Sequence, residues 1–294
     1  MNTFRIKAYA KINLGLDVLR RRPDGYHEVK MIMQTVDLYD DLEFTKLAED
    51  EIRIFTDKEE LPADQGNLIW RAAARMKELY QISEGVSVKL TKRIPIAAGM
   101  AGGSADAAAV LVGLNELYGA RLSMSELCAL GASIGADVPF ALMGGTCRVQ
   151  GLGDVLKPLP PLPECWFTVV MPDYGVSTPE AFAAYDRVGS SVHPDCAAQE
   201  AAIRAGDLDG VCAAAGNALE ECSGAKDNEA IKNALRENGA VAALMTGSGA
   251  AVFGVFRTEG EALAAAAALR PRWPEVYTAQ PVRGGAEVQP VRRR

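Results

Sequence analysis

Histidine is nearly missing from this chain: His27 and His193 are the two among 294 residues. The six cysteines, at positions 128, 147, 165, 196, 212 and 222, form no CxxC pair. These shortages argue against a structural zinc site, which draws its ligands from such residues at close spacing, and no metal ligand is assigned. Most of the cysteines lie among apolar residues or alanines, where a small thiol is buried and reduced, as in a reducing cytosol. Positive charge is also in deficit, with 31 Lys and Arg against 38 Asp and Glu and a net charge of -7. That leaves no overall field to hold nucleic acid or an anionic membrane. No apolar run is long enough to span a bilayer, and Arg5, Lys7, Lys11 and Asn13 interrupt the amino-terminal apolar pattern, so no signal-peptide core is read there. The expectation is a soluble cytoplasmic protein, a monomer or weak homodimer, that handles small molecules.

What is present is patterned for a mixed fold. Phe4, Ile6 and Ala8, then Ile12, Leu14, Leu16 and Val18, alternate with polar or small residues as a half-buried strand does. The turn signal RPDG at Arg22 to Gly25 predicts a hairpin returning through His27 to Val36. Further strands are predicted at Asp41 to Thr45, Glu51 to Thr56 and Gly85 to Thr91. Asn67 can cap a helix whose Leu68, Ala72, Met76 and Leu79 share a face. A second helix is predicted from near Ser104 to Tyr118. A third starts at Ser123, whose spacing to Glu126 suits a capping box, and ends near Gly135.

KPLPPLPE at Lys157 to Glu164 is too rich in proline for a helix or a strand interior, and divides the chain into domains of residues 1–156 and 157–294. Beyond it come a strand (Cys165 to Met171), a helical region (Pro179 to Asn238), a strand pair (Val241 to Met245, Ala251 to Phe256), a helix (Glu259 to Leu269) and a last strand (Val276 to Val282). The class is α+β: a mixed β/α domain, then a split βαβ domain of ferredoxin-like order with a helical insertion. The alanine run Ala264 to Ala268 reads as a face packed on its own sheet, and the closing VRRR as a solvated tail.

In IPIAAGMAGGSADAAAVL, Gly99, Gly102 and Gly103 stand directly before the predicted second helix, with Ser104 as a further donor and a candidate cap. A helix start offers unpaired amides and the positive end of its dipole, and glycines let phosphate oxygens come close, although the same glycines would serve a tight packing turn. No GK[ST] follows them, no acidic residue ends a second strand as in a dinucleotide fingerprint, and the protein-kinase signatures are missing. A cation must therefore come from elsewhere. Lys11 is the candidate, unless it is an ordinary exposed lysine. Asp137, in GADVPFALMGG, is either a functional carboxylate or the cap of a helix with Pro139 in its first turn.

PIAAGMAGGSADAA, together with LMTGSGAAVFGVF at Leu244 to Phe256, resembles the glycine motifs of the GHMP kinases, the family of galactokinase, homoserine, mevalonate and phosphomevalonate kinases. AKINLGLDVLRRRPDGYHEV is similar to the branch that phosphorylates the 2-hydroxyl of a cytidine-diphosphate-linked methylerythritol in the non-mevalonate isoprenoid route. The resemblance implies the two-domain GHMP fold, ATP and Mg²⁺ as cofactors, and ATP phosphates lying along Pro95, Ile96, Ala97, Ala98, Gly99, Met100, Ala101, Gly102, Gly103 and Ser104. It implies Asn67 on the nucleotide side, Asp137 as the base for the acceptor hydroxyl and Lys11 as its cationic partner. Tyr26 and His27 would then meet the cytosine, with Phe182 as the opposite aromatic wall, Thr178 as a polar contact and Asn13 near the methylerythritol. Ala97 and Ala98 depart from glycines common in that family, tolerably where the backbone keeps ordinary angles. Ala105 departs from a second serine and removes a hydroxyl. A sister kinase of homoserine or mevalonate type, and a non-catalytic nucleotide-binding paralogue, are the alternatives.

Overall fold

Alternation in the first fifty residues produces one long hairpin. In the computed structural model, which describes residues 3–273 and 275–289, β1 (Thr3–Arg21) and β2 (His27–Leu47) pair antiparallel along nearly their whole length. The RPDG turn joins them, with Gly25 at φ 87. Ile12, Leu14, Leu16 and Val18 are all buried, as their period requires. The segment Asp41 to Thr45 is the far half of β2 rather than a strand of its own, because the register shifts of the hairpin bend the ribbon without ending it. VRRR lies outside the described residues.

Next come β3 (Ile52–Thr56), α1 (Leu68–Tyr80) and β4 (Gly85–Thr91). Asn67 caps α1 as expected, accepting from Ile69 N at 2.9 Å. Helix α2 (Gly102–Tyr118) runs through the middle of this half, and its small residues allow the close approach: a Cβ on Gly113 would lie 2.9 Å from the Phe44 ring. Ser123 and Glu126 form the predicted capping box at the start of α3 (Met124–Ala132). Then follow α4 (Val138–Met143) and two strands that the sequence pattern did not disclose, β5 (Thr146–Gly151) and β6 (Val155–Pro158).

After the proline-rich connection come β7 (Trp166–Met171), α5 (Thr178–Val188), α6 (Cys196–Ala205), α7 (Leu208–Ala213), a two-residue strand β8 (Gly216–Asn217) and α8 (Asn228–Glu237). The chain ends with β9 (Ala242–Met245), β10 (Val252–Phe256), α9 (Glu259–Leu269), β11 (Glu275–Ala279) and β12 (Ala286–Gln289). A four-stranded antiparallel sheet takes the order β11-β7-β10-β9, the split βαβ arrangement, and Ala265, Ala266 and Leu269 of α9 are buried on its side. The other sheet has eight strands. Two of them come from the second half of the chain: β12 runs antiparallel to β1 on its edge, and β8 runs parallel to it.

Candidate active site

Two glycine stretches meet backbone to backbone. A Cβ on Gly99 would lie 2.0 Å from Thr246 O, and one on Gly247 would lie 2.7 Å from Gly99 O. Ala251 N donates to Ala98 O at 3.3 Å across the same seam. Gly99 is thus required by packing, and its φ of 72 suits glycine as well. Gly103 is different, being exposed with only Leu68 Cδ1 at 3.5 Å from a notional Cβ. One glycine of the loop is thus required by packing, and another leaves its backbone open.

The loop has a left-handed character that the sequence understates. Ala97 and Ala101 take φ 53 and 57, each costing about 1–2 kcal/mol relative to ordinary angles. Ala97 therefore does not keep the ordinary angle on which its tolerance was premised, whereas Ala98 does. Gly175 accommodates the methyl of Ala97, since a Cβ there would come within 2.5 Å of it. Ala101 stands at the cap position of α2 with no side-chain cap, so Ser104 is not the cap, and the first-turn amides of Gly102, Gly103 and Ser104 stay free for an anion. Pro95, Ala98 and Met100 are buried; Ile96, Ala97, Gly99 and Ala101 to Ser104 reach the open side. Ala105 packs into the core, so its missing hydroxyl would not face that side.

Lys11 lies at the inner wall of the seam. It is 5% exposed, which excludes the ordinary surface lysine, and its Nζ donates to Gly99 O at 2.7 Å and to Asn13 Oδ1 at 2.6 Å. Register shifts between Tyr9 and Lys11 and between Asn13 and Gly15 bracket this pair; Lys11 reaches the first glycine motif at Gly99, and Asn13 the second at Thr246. Burial lowers the Lys11 pKa, and the charge of Asp137 pushes it back up. Asp137 is partly exposed at the head of α4 but makes no side-chain cap bond, which removes the capping alternative. Lys11 and Asp137 thus converge without bonding directly.

Asn13 is fully buried. Its Oδ1 accepts from Lys11 and from Thr246 Oγ1 at 3.4 Å, and its backbone N donates to Thr246 Oγ1 at 3.1 Å, so it orients Lys11 and ties β1 to the seam. Asn67 is likewise occupied, as its Nδ2 donates to Pro62 O at 2.7 Å while its Oδ1 caps α1.

Helix α5 links the seam to an aromatic cluster. Thr178 shares a hydrogen bond of 2.8 Å with Ser248, and one turn later Phe182 stacks on His27, ring centroids 4.8 Å apart at 26°. Asp186 Oδ1 lies 2.6 Å from His27 Nε2, and Tyr185 OH donates to Val18 O. Tyr26 is 67% exposed beside them. His27 and Phe182 are together as expected, but their contact leaves no slot for a base between them, because two stacking contacts need about 7 Å at 3.5 Å each. Thr178 lies at the seam rather than among the rings.

Sequence reasoning overlooked Thr246, Ser248, Asp186 and a buried cluster of Lys92, Asp40 and Asp106. Thr246 and Ser248 fall within the second glycine motif and could have been marked from it. Asp186 follows Phe182 by four residues on one helix face. The buried cluster joins residues up to 66 positions apart and leaves no local pattern.

The sequence pattern described as the GHMP kinases N terminal domain matches residues 67–145, and that of the GHMP kinases C terminal matches residues 200–275. A 4-diphosphocytidyl-2-C-methyl-D-erythritol kinase of Bacillus cytotoxicus is 48% identical over 252 residues, covering 85% of this chain and 87% of the relative. Those of Bacillus subtilis (45%, covering 92% and 94%) and Lachnospira eligens (43%, covering 95% and 99%) bear the same name. A crystal structure of 4-(cytidine 5'-diphospho)-2C-methyl-D-erythritol kinase superposes with a TM-score of 0.81 at 34% identity, over 96% of this chain and 99% of the other. Homoserine kinase from Cytophaga hutchinsonii, 19% identical with a TM-score of 0.79 over 98% of each chain, shares the fold.

Proposed function

The chain belongs to the GHMP kinases and, within them, to the 4-diphosphocytidyl-2-C-methyl-D-erythritol kinases, and from that premise we propose how its residues carry the reaction. ATP gives its γ-phosphoryl group to the 2-hydroxyl of the cytidyl substrate. Asp137 takes the hydroxyl proton as the oxygen attacks phosphorus in line, the bond to the bridging oxygen breaks, and ADP leaves. The ammonium of Lys11 has three N–H donors, two held by Gly99 and Asn13. The third is left for charge developing on the transferring group. The free amides of Gly102, Gly103 and Ser104 hold phosphate oxygens.

Among the described residues no trio of His, Cys, Asp or Glu could hold a metal. Mg²⁺ would come with the triphosphate, and the chain can offer it the Ser104 hydroxyl, which faces Gly135 two residues before Asp137. When bound it neutralises phosphate charge.

The cytosine takes the place of His27 against Phe182, with Tyr26 over its other face and the released imidazole hydrogen-bonding its edge. Helix α5 serves as the ruler between base and seam: Thr178 to Phe182 is four residues, about 6 Å of rise. The observation that carries this reading is the buried Lys11, fixed on the phosphate loop and within reach of the Asp137 charge. Its test is ADP release with ATP, Mg²⁺ and either the cytidyl substrate, homoserine or mevalonate. Release with the cytidyl substrate alone is the expected result; equal or faster release with either cytosine-free alcohol rejects it.

A further inference from the structure

Beneath the phosphate loop lie three titratable side chains that the mechanism does not use. Lys92 Nζ donates to Asp40 Oδ2 at 2.5 Å and to Asp106 Oδ2 at 2.8 Å, with side chains 4%, 0% and 4% exposed in that order. Each has a distinct position along the chain. Lys92 follows β4 and leads into the loop, Asp106 lies in α2 just after the loop, and Asp40 stands on β2 below both. The other oxygen of Asp40 accepts from Arg93 N at 2.6 Å and Ile94 N at 2.9 Å, so it grips the backbone that leads into the loop. A Cβ on Gly102 would lie 2.8 Å from the Lys92 ammonium, which puts the cluster directly under the first turn of α2.

Burying such a cluster is expensive, and replacing buried ion pairs with apolar groups often leaves stability unchanged or improved. Stability therefore does not account for it. The cluster is also incompletely satisfied, since Asp106 Oδ1 is buried with no hydrogen-bond partner. What the three groups do is join the two ends of a loop in which Ala97 and Ala101 hold left-handed angles, and such angles persist only where the surroundings enforce them.

We propose that Lys92, Asp40 and Asp106 are positioning residues for nucleotide binding: the ammonium staples the backbone before the phosphate loop to the helix after it, so that the loop amides converge on a triphosphate. This rests on the assignment of the loop to ATP. The staple acts on the nucleotide and not on the acceptor: among the described residues the hydrogen bonds and ion pairs of its side chains reach only β2, the segment before the loop and α2, none the aromatic cluster or α5. Two carboxylates on one ammonium also explain why Lys92 keeps its charge: burial disfavours the ammonium, and Asp106 and Asp40 outweigh burial.

The experiment compares wild type, Asp106→Ala, Asp106→Asn and the double variant Lys92→Met/Asp106→Ala, by ATP calorimetry without acceptor, by steady-state kinetics and by thermal melting. Asp106→Ala and the double variant are expected to weaken ATP binding tenfold or more, to raise the KM for ATP in step, and to leave the KM for the cytidyl substrate within twofold. Asp106→Asn retains an oxygen for Lys92 and is expected to restore ATP affinity to within about threefold of wild type. Wild-type ATP affinity in both Ala-containing variants overturns the proposal. So does a parallel rise of both KM values that follows the loss of melting temperature, since that marks general destabilisation. A wild-type protein that binds no ATP would instead overturn the assignment of the loop, an outcome visible before any variant is made.

Discussion

Asp137 stands at the head of a helix that it does not cap, and the residue type alone left that choice open. With Asp137 in its proposed role as base, Asp137→Asn is expected to lower kcat by about two orders of magnitude or more, with the KM for ATP nearly unchanged. A variant with wild-type kcat would remove Asp137 from the chemistry. Lys11→Met should lower kcat more than ATP affinity, because the charge acts on the transferring group; a fall confined to affinity would contradict that role. The pH dependence has a definite sign. Burial lowers the Lys11 pKa, so its ammonium is lost at a pH below the ordinary lysine value of about 10.4. The kcat/KM for ATP, which reports the free enzyme, should therefore fall as pH rises through that ionisation. A profile still flat where free lysine titrates would show that the ammonium is not needed. The motif made Lys11 legible, but neither its burial nor the role of Asn13 as its support could be read there, since Lys11 is held by Gly99, 88 residues beyond it, and Asn13 by Thr246, 233 residues beyond it.

At the scale of elements, Gly99 and Gly103 separate packing from the proposed phosphate contact. Gly99→Ala would drive a methyl into Thr246 O and should destabilise the protein by about 2–3 kcal/mol through overpacking. Gly103→Ala meets only ordinary contact, so its melting temperature should not fall, while ATP affinity should drop if phosphate oxygens approach that backbone. Thermal melts with ATP titrations check both, and unchanged affinity in Gly103→Ala would place the phosphate elsewhere. Tyr26→Ala should raise the KM for the cytidyl substrate with the KM for ATP unchanged; an unaltered acceptor constant would mean that the ring does not stack. Elements with local chemistry were readable: the Asn67 cap, the Ser123 and Glu126 box, the alternation of β1. The juxtaposition of His27 and Phe182 followed only from the family resemblance, and their direct stack was not readable, because it is held through α5 and Asp186 rather than through sequence spacing.

Over the whole molecule, two of the four strands that escaped the sequence reading, β8 and β12, tie its halves together. β8 has two residues, too few for any period, and β12 is a short edge strand after a turn-rich stretch; both pair with β1. The Gly99 to Thr246 seam adds a third tie at the site itself. With the first sheet completed by the second half of the chain, thermal unfolding should be one cooperative transition, with calorimetric and van't Hoff enthalpies equal; two resolved transitions would show that the halves fold independently. In the proposed reading the acceptor base sits on α5 and the phosphates on α2, so transfer would depend on the halves staying in register. Phosphorus NMR of the complete reaction, with ATP, Mg²⁺ and the cytidyl substrate, tests this directly. One new phosphomonoester resonance should appear in step with ADP while the diphosphate bridge of the acceptor stays intact; inorganic phosphate accumulating in its place would contradict the account.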